Sequence, residues 1–557
     1  MTKVSISDKA PTGTPVGEPL KVADPDAVKW DASCDLIVVG IGIAGASATL
    51  RGNELGLDTI AVDRFLGGGA SELSGGVVYA GATHVQAELG IDDSVENLYD
   101  YLGYETADLV SEPTLRKFCA DSPGLITWLE KYEVPFGGPV TMRKASYPPR
   151  GTYLYYSGNE NTPFGLARAK PAPRGHRALP TFKTKERFSG IFIMTQLKKA
   201  IAAAANVRRM YQSAARRLVV DGEGRVIGAE IWQVPPGSVW AGLHARVGEL
   251  GRSQALQALK VNGPVWRLTS WIERKHARPK LIRARKGVVL SAGGFVNNLA
   301  MMDRYAPLYS DIFRLGTQGD DGSGIQLGAS VGGKTSRMET ISAWRFVSPP
   351  YDWPKGIMVS PEGKRFTNEE LYGARTSRAI YEQAGGKAWL ILDQKLVDTA
   401  LAELASGQMQ DFQTITTKSW LRRAKKANTV EGLEQALGMP SGSISGEVTA
   451  YNAAIESGAA DPQGKSDGVR TTLTKAPFYA IDISNHMIAP LSALTMGGLT
   501  LDEATGAALD EAGKPIAGLY AAGRNAVGMC SNEYISGLSL ADGIWSGHRA
   551  AEAAAST

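Results

Sequence analysis

The sequence predicts an α/β protein in which a Rossmann-like dinucleotide-binding domain is discontinuous along the chain and an α+β domain is inserted into it. Three observations carry this. Residues 35–39 are a short apolar run followed at once by Gly40, Gly42 and Gly45 in G-x-G-x-x-G spacing, and a second apolar run, 59–62, ends in Asp63. Residues 336–486 then mix strand and helix patterns without nucleotide-type turns. Glycine-terminated strand patterns return at 518–524.

Composition narrows the function classes. At 557 residues the chain is long for one core, and its apolar fraction of 43% and charged fraction of 21% are those of a globular protein. A net charge of +4 gives no electrostatic case for nucleic acid. Cys34, Cys119 and Cys530 are far apart and form no C-x-x-C pair, which excludes a disulfide framework, a zinc ribbon and a c-type haem site. The N-terminus lacks an apolar core of the signal-peptide kind, and nowhere do eighteen apolar residues run uninterrupted. A cytoplasmic protein without a membrane span or bound metal is expected. None of the six histidines falls in a catalytic spacing.

Taken in order, residues 1–30 are polar and carry several Pro and Gly, and read as a surface arm. The first part of the cofactor domain is placed at 31–335. In its fingerprint Gly40 allows the tight turn, Gly42 lets a pyrophosphate approach the backbone and Gly45 lets the helix pack closely. Asp63 stands where a carboxylate accepts hydrogen bonds from a ribose. NAD or FAD would satisfy this unit equally. In LGGGASELSGGVVYAGAT, residues 66–83, glycines bracket small hydroxyl residues, so backbone amides can point at a pyrophosphate or at the polyol of a flavin. Tyr79 follows and suits either a site-facing or a packed role. Helical spacing covers 91–135 and 191–205, and strands are expected at 218–220 and 226–232. Between them TYLYYSGNENTPFG (152–165) and KPAPRGHRALP (170–180) read as covering loops.

Residues 233–286 interrupt the pattern where a short connection would suffice. Trp240, Leu243, Val247, Leu250, Leu256, Leu259, Val261, Trp266, Leu268, Trp271 and Ile272 alternate with Arg246, Arg252, Lys260, Arg267, Arg274, Lys275, Arg278, Lys280, Arg283 and Arg285. Basic residues with tryptophans at helical spacing suit a helix in a membrane interface, through 236–284, at the inner face of the membrane. Packing on the protein itself or on a second subunit is the other reading.

The remaining glycine chemistry lies in VVLSAGGF (288–295), GDDGSGIQLGASVGG (319–333), TMGGLTLD (495–502), GLYAAGR (518–524) and NEYISGLSLADG (532–543), the last leading into a final helix. The strands at 288–294 and 518–524 favour the adenosine end of FAD over NAD. They also return the chain to the cofactor domain at 487–557. The inserted domain contains GIMVSPEGKRFTNEELYGART (356–376), where a strand pair is followed by a loop with Glu369, Tyr372 and Arg375.

Together these motifs resemble the fumarate reductase and 3-ketosteroid dehydrogenase superfamily of FAD flavoproteins, in their order and over most of residues 34–552. The resemblance implies FAD contacts from Gly40, Gly42, Ala44, Gly45, Asp63, Arg64, Gly69, Ala70, Ser71, Gly75, Gly76, Ala292, Gly293, Asp321, Gly523, Arg524, Ser539 and Leu540. Where fumarate reductases carry a dicarboxylate-gripping arginine this chain has Tyr534, and where their proton-donor arginine is expected Asn368-Glu369 is followed by Glu370, Leu371, Tyr372 and Gly373. Phenols in place of guanidinium groups suit a neutral ketone better than a dianion. NEELYGAR and EYISGLSLADG are similar to the Δ4-(5α) type of 3-ketosteroid dehydrogenase. That resemblance implies desaturation of a 3-oxo-5α-steroid at C4–C5. Tyr534 and a backbone N–H of the 536–538 turn, that of Gly537, would polarise the C3 carbonyl. Tyr372, helped by Ser536, would take the α-proton, and flavin N5 the hydride. A lipophilic steroid and an external electron acceptor are the implied partners. The alternatives are a Δ1-dehydrogenase, an enone or acrylate reductase with Arg375 as proton donor, and a non-catalytic FAD-binding or membrane-associated scaffold.

Overall fold

A computed structural model of the chain describes residues 13–179, 189–253, 256–257, 261–486 and 489–557. Residues 1–12 of the arm, Pro180, Leu259 and Lys260 lie outside the described residues.

The fold is built around a nine-stranded sheet. Ala32–Val39 pairs in parallel with Thr59–Val62 on one side and with Arg278–Leu290 on the other; Thr59–Val62 in turn pairs in parallel with Val207–Met210. Such strands are covered on both faces, so they read as apolar runs, and all four residues of Thr59–Val62 are buried. Arg278–Leu290 then branches. Its first half pairs antiparallel with Val226–Gln233, which pairs with Ser213–Val220, and its last residues pair in parallel with Pro515–Ala521. The C-terminal glycine strand thus returns to the same sheet beside Arg278–Leu290, the strand that also pairs with Ala32–Val39.

Between Ala32–Val39 and Thr59–Val62 runs the helix Ile43–Glu54. The C-terminal helix Leu538–Ser556 lies against it, with Ala44, Ala48, Ala550, Ala551 and Ala554 sharing one buried cluster with Leu36, Val38 and Val289 of the sheet. Small residues set this distance. A methyl at Gly547 would meet the Ala44 carbonyl oxygen, and one at Gly45 would run into the carbonyl of Gly40, so the turn and both helices can close only without side chains there.

A separate four-stranded antiparallel sheet comprises Ile357–Val359, Trp389–Leu392, Phe478–Asp482 and Lys425–Ala427. It has its own apolar cluster, which includes Trp353, Leu390, Ile391, Leu433 and Ile481. The segments read as covering loops contribute instead to a small sheet, Val77–Tyr79, Gly175–Arg177, Leu154–Tyr155 and Val140–Thr141. Strands of two or three residues carry no alternation to read. The helical stretch 91–135 is two helices, Val95–Thr106 and Glu112–Lys131, separated where Ala107 and Asp108 take positive φ of 47° and 57°.

Three expectations change. The described part of the arm is not a loose surface segment: Leu20–Lys21 adds an edge strand beside Val219 and Val220, and the Thr14 amide donates to Asp321 Oδ2 at 2.6 Å. The strand predicted to begin at Gly287 begins at Arg278, so Arg278, Lys280, Arg283 and Arg285 belong to the sheet, not to an interfacial helix. The insertion itself is shorter and contains the helices Val239–Gly251 and Gly263–His276, packed on one another.

The inner face of those helices lies on the cofactor domain. Glu273 accepts from Arg64 Nε at 2.9 Å and faces His244 Nε2 at 3.0 Å, Ser270 Oγ accepts from Gln318 and Arg64, and His244 stacks on Phe65. Trp266 and Ile272 are buried on this face and so cannot face acyl chains. Burial works to raise the Glu273 carboxyl, but the Arg64 guanidinium and His244 hold it down at about 2. Because that folded value lies below the ordinary 4.5, the stabilisation is complete above pH 4.5 and lost as pH falls from there towards 2. Glu273→Gln is therefore expected to cost about 3 kcal/mol of unfolding free energy at pH 7. Denaturant midpoints taken down the acid range should show the wild type and the variant converging below pH 4.5.

Candidate active site

A continuous cavity of about 600 Å³ runs from Thr14 and Asp63 at one end, past Gly42, Ser71 and Gly75, to Tyr372 and Tyr534, and on to Phe412 and Pro490. Of the sequence-predicted cofactor residues, Gly40, Gly42, Ala44, Asp63, Arg64, Gly69, Ala70, Ser71, Gly75, Gly76, Ala292, Gly293, Gly523, Arg524, Ser539 and Leu540 line it. Gly45 does not: it sits one turn inside the helix, against the Gly40 carbonyl and Ser291 Oγ.

The helix Ile43–Glu54 starts at Gly42 with no side-chain cap of its own and no acid in its first turn. Ser71 Oγ takes the Ile43 amide at 3.0 Å, and Gly42 and Ala44 on either side line the cavity, a setting that suits a diphosphate. At the far end Leu538–Ser556 also starts without a side-chain cap, at Gly537, where φ is +93°. Both helix starts meet one cavity. Arg524 pairs with Asp320 at 2.6 Å through Nη2, while its buried Nη1 has no partner among the described residues. That orphaned donor, the two uncapped helix starts and the glycine-lined wall fit a nucleotide diphosphate and a flavin.

The two acids are placed differently. Asp63 lines the cavity and is held in its turn by accepting from the amides of Ile41 at 2.8 Å, Phe65 at 2.8 Å and Gly67 at 3.2 Å. Asp321 is not in the cavity wall. It lies behind it, bound to Arg64 Nη1 at 3.0 Å and to the amides of Thr14 and Ser323. Its neighbour Asp320 lines the cavity instead, and adjacent acids in a turn look alike in sequence. Thr14 and, from the insertion, Arg252 also line it and carried no motif that could single them out.

The other end is aromatic. Tyr534 lies 5.1 Å from Trp344 by ring centroids and Phe346 lies 6.0 Å from Tyr372, with Leu315 and Leu494 completing the wall. In the 536–538 turn the Ser536 amide donates to Ser157 O and the Leu538 amide to Ile535 O. Gly537, between them, and Tyr534 both line the cavity, so an amide and a phenol of this turn stand at its wall. Ser536 Oγ accepts from the Tyr155 hydroxyl at 3.0 Å, and Ser536 lines the same cavity as Tyr372. Burial, then the neighbouring Tyr534 and Tyr155, push the Tyr372 phenol well above its ordinary value, against a smaller lowering by Ser536. Burial likewise raises Tyr534.

Not everything flagged in NEELYGAR reaches this site. Glu369 is 1% exposed and bound to Arg365 and Lys465, both at 2.7 Å. Arg375 is bound to Glu105 at 3.0 Å and does not line the cavity. Tyr79 is fully buried beneath the turn, donating its hydroxyl to Glu160 at 3.1 Å and its amide to Gly537 O. Conversely, Tyr155, Ser157 and Asn159 hold the site together although the 152–165 stretch reads only as a covering loop.

Comparison with known proteins agrees with this arrangement. Residues 35–540 match the FAD binding domain family. The chain is 36% identical over 532 residues to a 3-oxo-5-alpha-steroid 4-dehydrogenase of Comamonas testosteroni, a match that spans 93% of this chain and 98% of that protein. It is 25% identical to a 3-oxosteroid 1-dehydrogenase of Mycobacterium tuberculosis over 90% of this chain and 94% of the other. In structure it is similar to the 3-ketosteroid-Δ4-(5α)-dehydrogenase of Rhodococcus jostii RHA1 in complex with 4-androstene-3,17-dione, with a TM-score of 0.80 and 27% identity, covering 97% of this chain and all of that one. The chain therefore belongs to the FAD binding domain family and takes FAD as its cofactor.

Proposed function

We propose that the protein is an FAD-dependent oxidoreductase that desaturates a 3-oxo-5α-steroid between C4 and C5. The observation that carries this reading is the meeting, in one cavity with an aromatic wall, of two prospective donors, the Tyr534 hydroxyl and the Gly537 amide, with a hydroxyl pair, Ser536 and Tyr372. The donors suit the C3 oxygen as enolate charge develops on it; the hydroxyl pair suits acceptance of the C4 proton. When bound, FAD supplies a hydride acceptor at N5. Its contacts are assigned to the cavity residues of the two helix starts, the 66–76 stretch and the strand ends at Ala292 and Gly523. Residues 31–335 and 487–557 would hold it, and 336–486 would cap the substrate.

Because burial keeps Tyr372 a neutral phenol at working pH, it serves in a relay and not as a standing phenolate: Ser536 would accept the C4 proton while passing its own hydrogen to Tyr372, whose phenol proton would leave to water. The wall of Trp344, Phe346, Leu315 and Leu494 excludes water and offers a flat lipophilic ring system a matching surface. The names of the relatives point the same way: one is a 3-oxo-5-alpha-steroid 4-dehydrogenase and another was solved with 4-androstene-3,17-dione. A reductive reaction with Arg375 as proton donor finds less support, because that side chain is committed to Glu105 outside the cavity.

Anaerobic incubation of the holoenzyme with 5α-androstane-3,17-dione should bleach the flavin and yield the Δ4 enone on reoxidation by an artificial acceptor. Bleaching only with substrates saturated elsewhere, or none, would refute the reading. Tyr534→Phe should lower the rate of flavin reduction by about 10²–10³-fold, the size of loss typical of one oxyanion donor, with flavin content unchanged.

A peripheral membrane contact is proposed for the outer face of the insertion. Val239 is 84% exposed, Leu250 54%, Leu268 40% and Trp271 40%, and exposed Arg246, Arg267, Arg274 and Lys275 accompany them. Apolar residues ringed by cations suit an anionic bilayer surface. No helix among the described residues is long and apolar enough to cross a membrane. Flotation with phosphatidylglycerol vesicles should recover the wild type, and the double variant Leu268→Glu/Trp271→Glu should stay unbound with its flavin retained. Deleting 236–284 would be a poorer probe, since it removes Glu273 and half of the strand Arg278–Leu290.

A further inference from the structure

The segment from Leu154 to Asn159 touches both halves of the proposed proton-accepting pair. Ser157 grips the backbone of Ser536 twice, its carbonyl accepting the Ser536 amide and its Oγ donating to Ser536 O, each at 3.0 Å. Asn159 Oδ1 accepts the Tyr372 amide at 2.7 Å, and its Nδ2 donates to Glu105 at 2.8 Å. Between these two anchors Tyr155 delivers its hydroxyl to Ser536 Oγ at 3.0 Å.

We propose that Tyr155 is a positioning residue for proton removal, acting through Ser536; this rests on the reading of Ser536 and Tyr372 as the proton-accepting pair. A serine hydroxyl has one hydrogen to give and two lone pairs. With one lone pair filled by Tyr155 O–H, the Ser536 hydrogen and second lone pair are left for the cavity that Ser536 and Tyr372 both line, so that Ser536 would take the C4 proton there as its own hydrogen passes to Tyr372 and the phenol proton of Tyr372 to water. Without Tyr155 the serine hydrogen is free to rotate, and part of the population has it pointing at the substrate. The same donor stabilises negative charge that gathers on Oγ while the proton is in transit.

The fold holds Tyr155 for this task. Its strand, Leu154–Tyr155, pairs antiparallel with Gly175–Arg177, and a methyl at Gly175 would come within 2.8 Å of the Tyr155 ring, so the ring sits flat over a glycine. The side chain is fully buried, and burial pushes its phenol well above the ordinary value, which keeps it a donor throughout the working range. It does not line the cavity and so does not touch substrate.

The test is a double-mutant cycle read by single-turnover flavin reduction in the holoenzyme with 5α-androstane-3,17-dione. Tyr155→Phe keeps the ring and should slow reduction about tenfold, the worth of one buried hydrogen bond, with KM within twofold and melting temperature and flavin spectrum unchanged. In a Ser536→Ala background the same substitution should cost nothing more. An unchanged rate in Tyr155→Phe, or an equal loss with and without Ser536, overturns the proposal. Should Tyr155→Phe lose flavin, 3-fluorotyrosine at the same position preserves shape while making the phenol more acidic. The alkaline limb of the kcat profile should then move to lower pH, and a profile identical to that of the wild type overturns the proposal. Full activity in Ser536→Ala would instead bring down the underlying reading of the site.

Discussion

The close approach of two helices, Ile43–Glu54 and Leu538–Ser556, is the contact on which the rest depends. Their seam is made of alanines and glycines, and at Gly547 even a methyl would strike the Ala44 carbonyl. Because the helices lie this close, Gly42 and Gly537, some five hundred residues apart in the chain, begin helices that open on the same cavity. Dispersion and burial along the seam thus do the geometric work that sets the two glycine turns against one cavity. A bulkier seam would separate them.

The electrostatics divide along the same axis. Charged groups collect near Asp63 and Asp320 and behind the aromatic wall: Arg64 with Glu273 and Asp321, Arg524 with Asp320, Arg375 with Glu105, Arg365 and Lys465 with Glu369. Each is paired, which is how buried charge is tolerated. Around Tyr372 and Tyr534 the wall carries hydroxyls and aromatic rings, the phenols raised by burial, with the buried Arg345 bound to the carbonyls of Ser484 and Ala489. In the reaction proposed above, phenols of this kind would stabilise a charge that forms without attracting one beforehand.

How much of this could be read beforehand follows from which constraints are local. The G-x-G-x-x-G turn, the helix after it and the strand Thr59–Val62 are local, and the structure has them where the spacing puts them. Tyr372, Tyr534 and Ser536 were legible only through their resemblance to family motifs, and the structure does bring them together. What was not legible is decided across the chain. Asp321 is an acid in the right turn, but whether it or its neighbour Asp320 lines the cavity depends on partners such as Thr14 and Arg64. Nothing in a two-residue strand announces that Tyr155 meets Ser536. In the insertion, the period shows an amphipathic helix, but not that Trp266 faces inward while Trp271 faces out.

The long strand Arg278–Leu290 has a temporal consequence. It is the splint to which Ala32–Val39, Val226–Gln233 and Pro515–Ala521 are all fastened, and its partners are drawn from the first tenth, the middle and the last tenth of the chain. A growing polypeptide that has left the ribosome as far as residue 233 has its fingerprint turn but neither the splint beside it nor the second helix start. Cofactor capture therefore belongs to the completed chain. Until residue 537 emerges there is no pocket for a flavin to enter, and the apolar faces awaiting it must be kept from one another by other means.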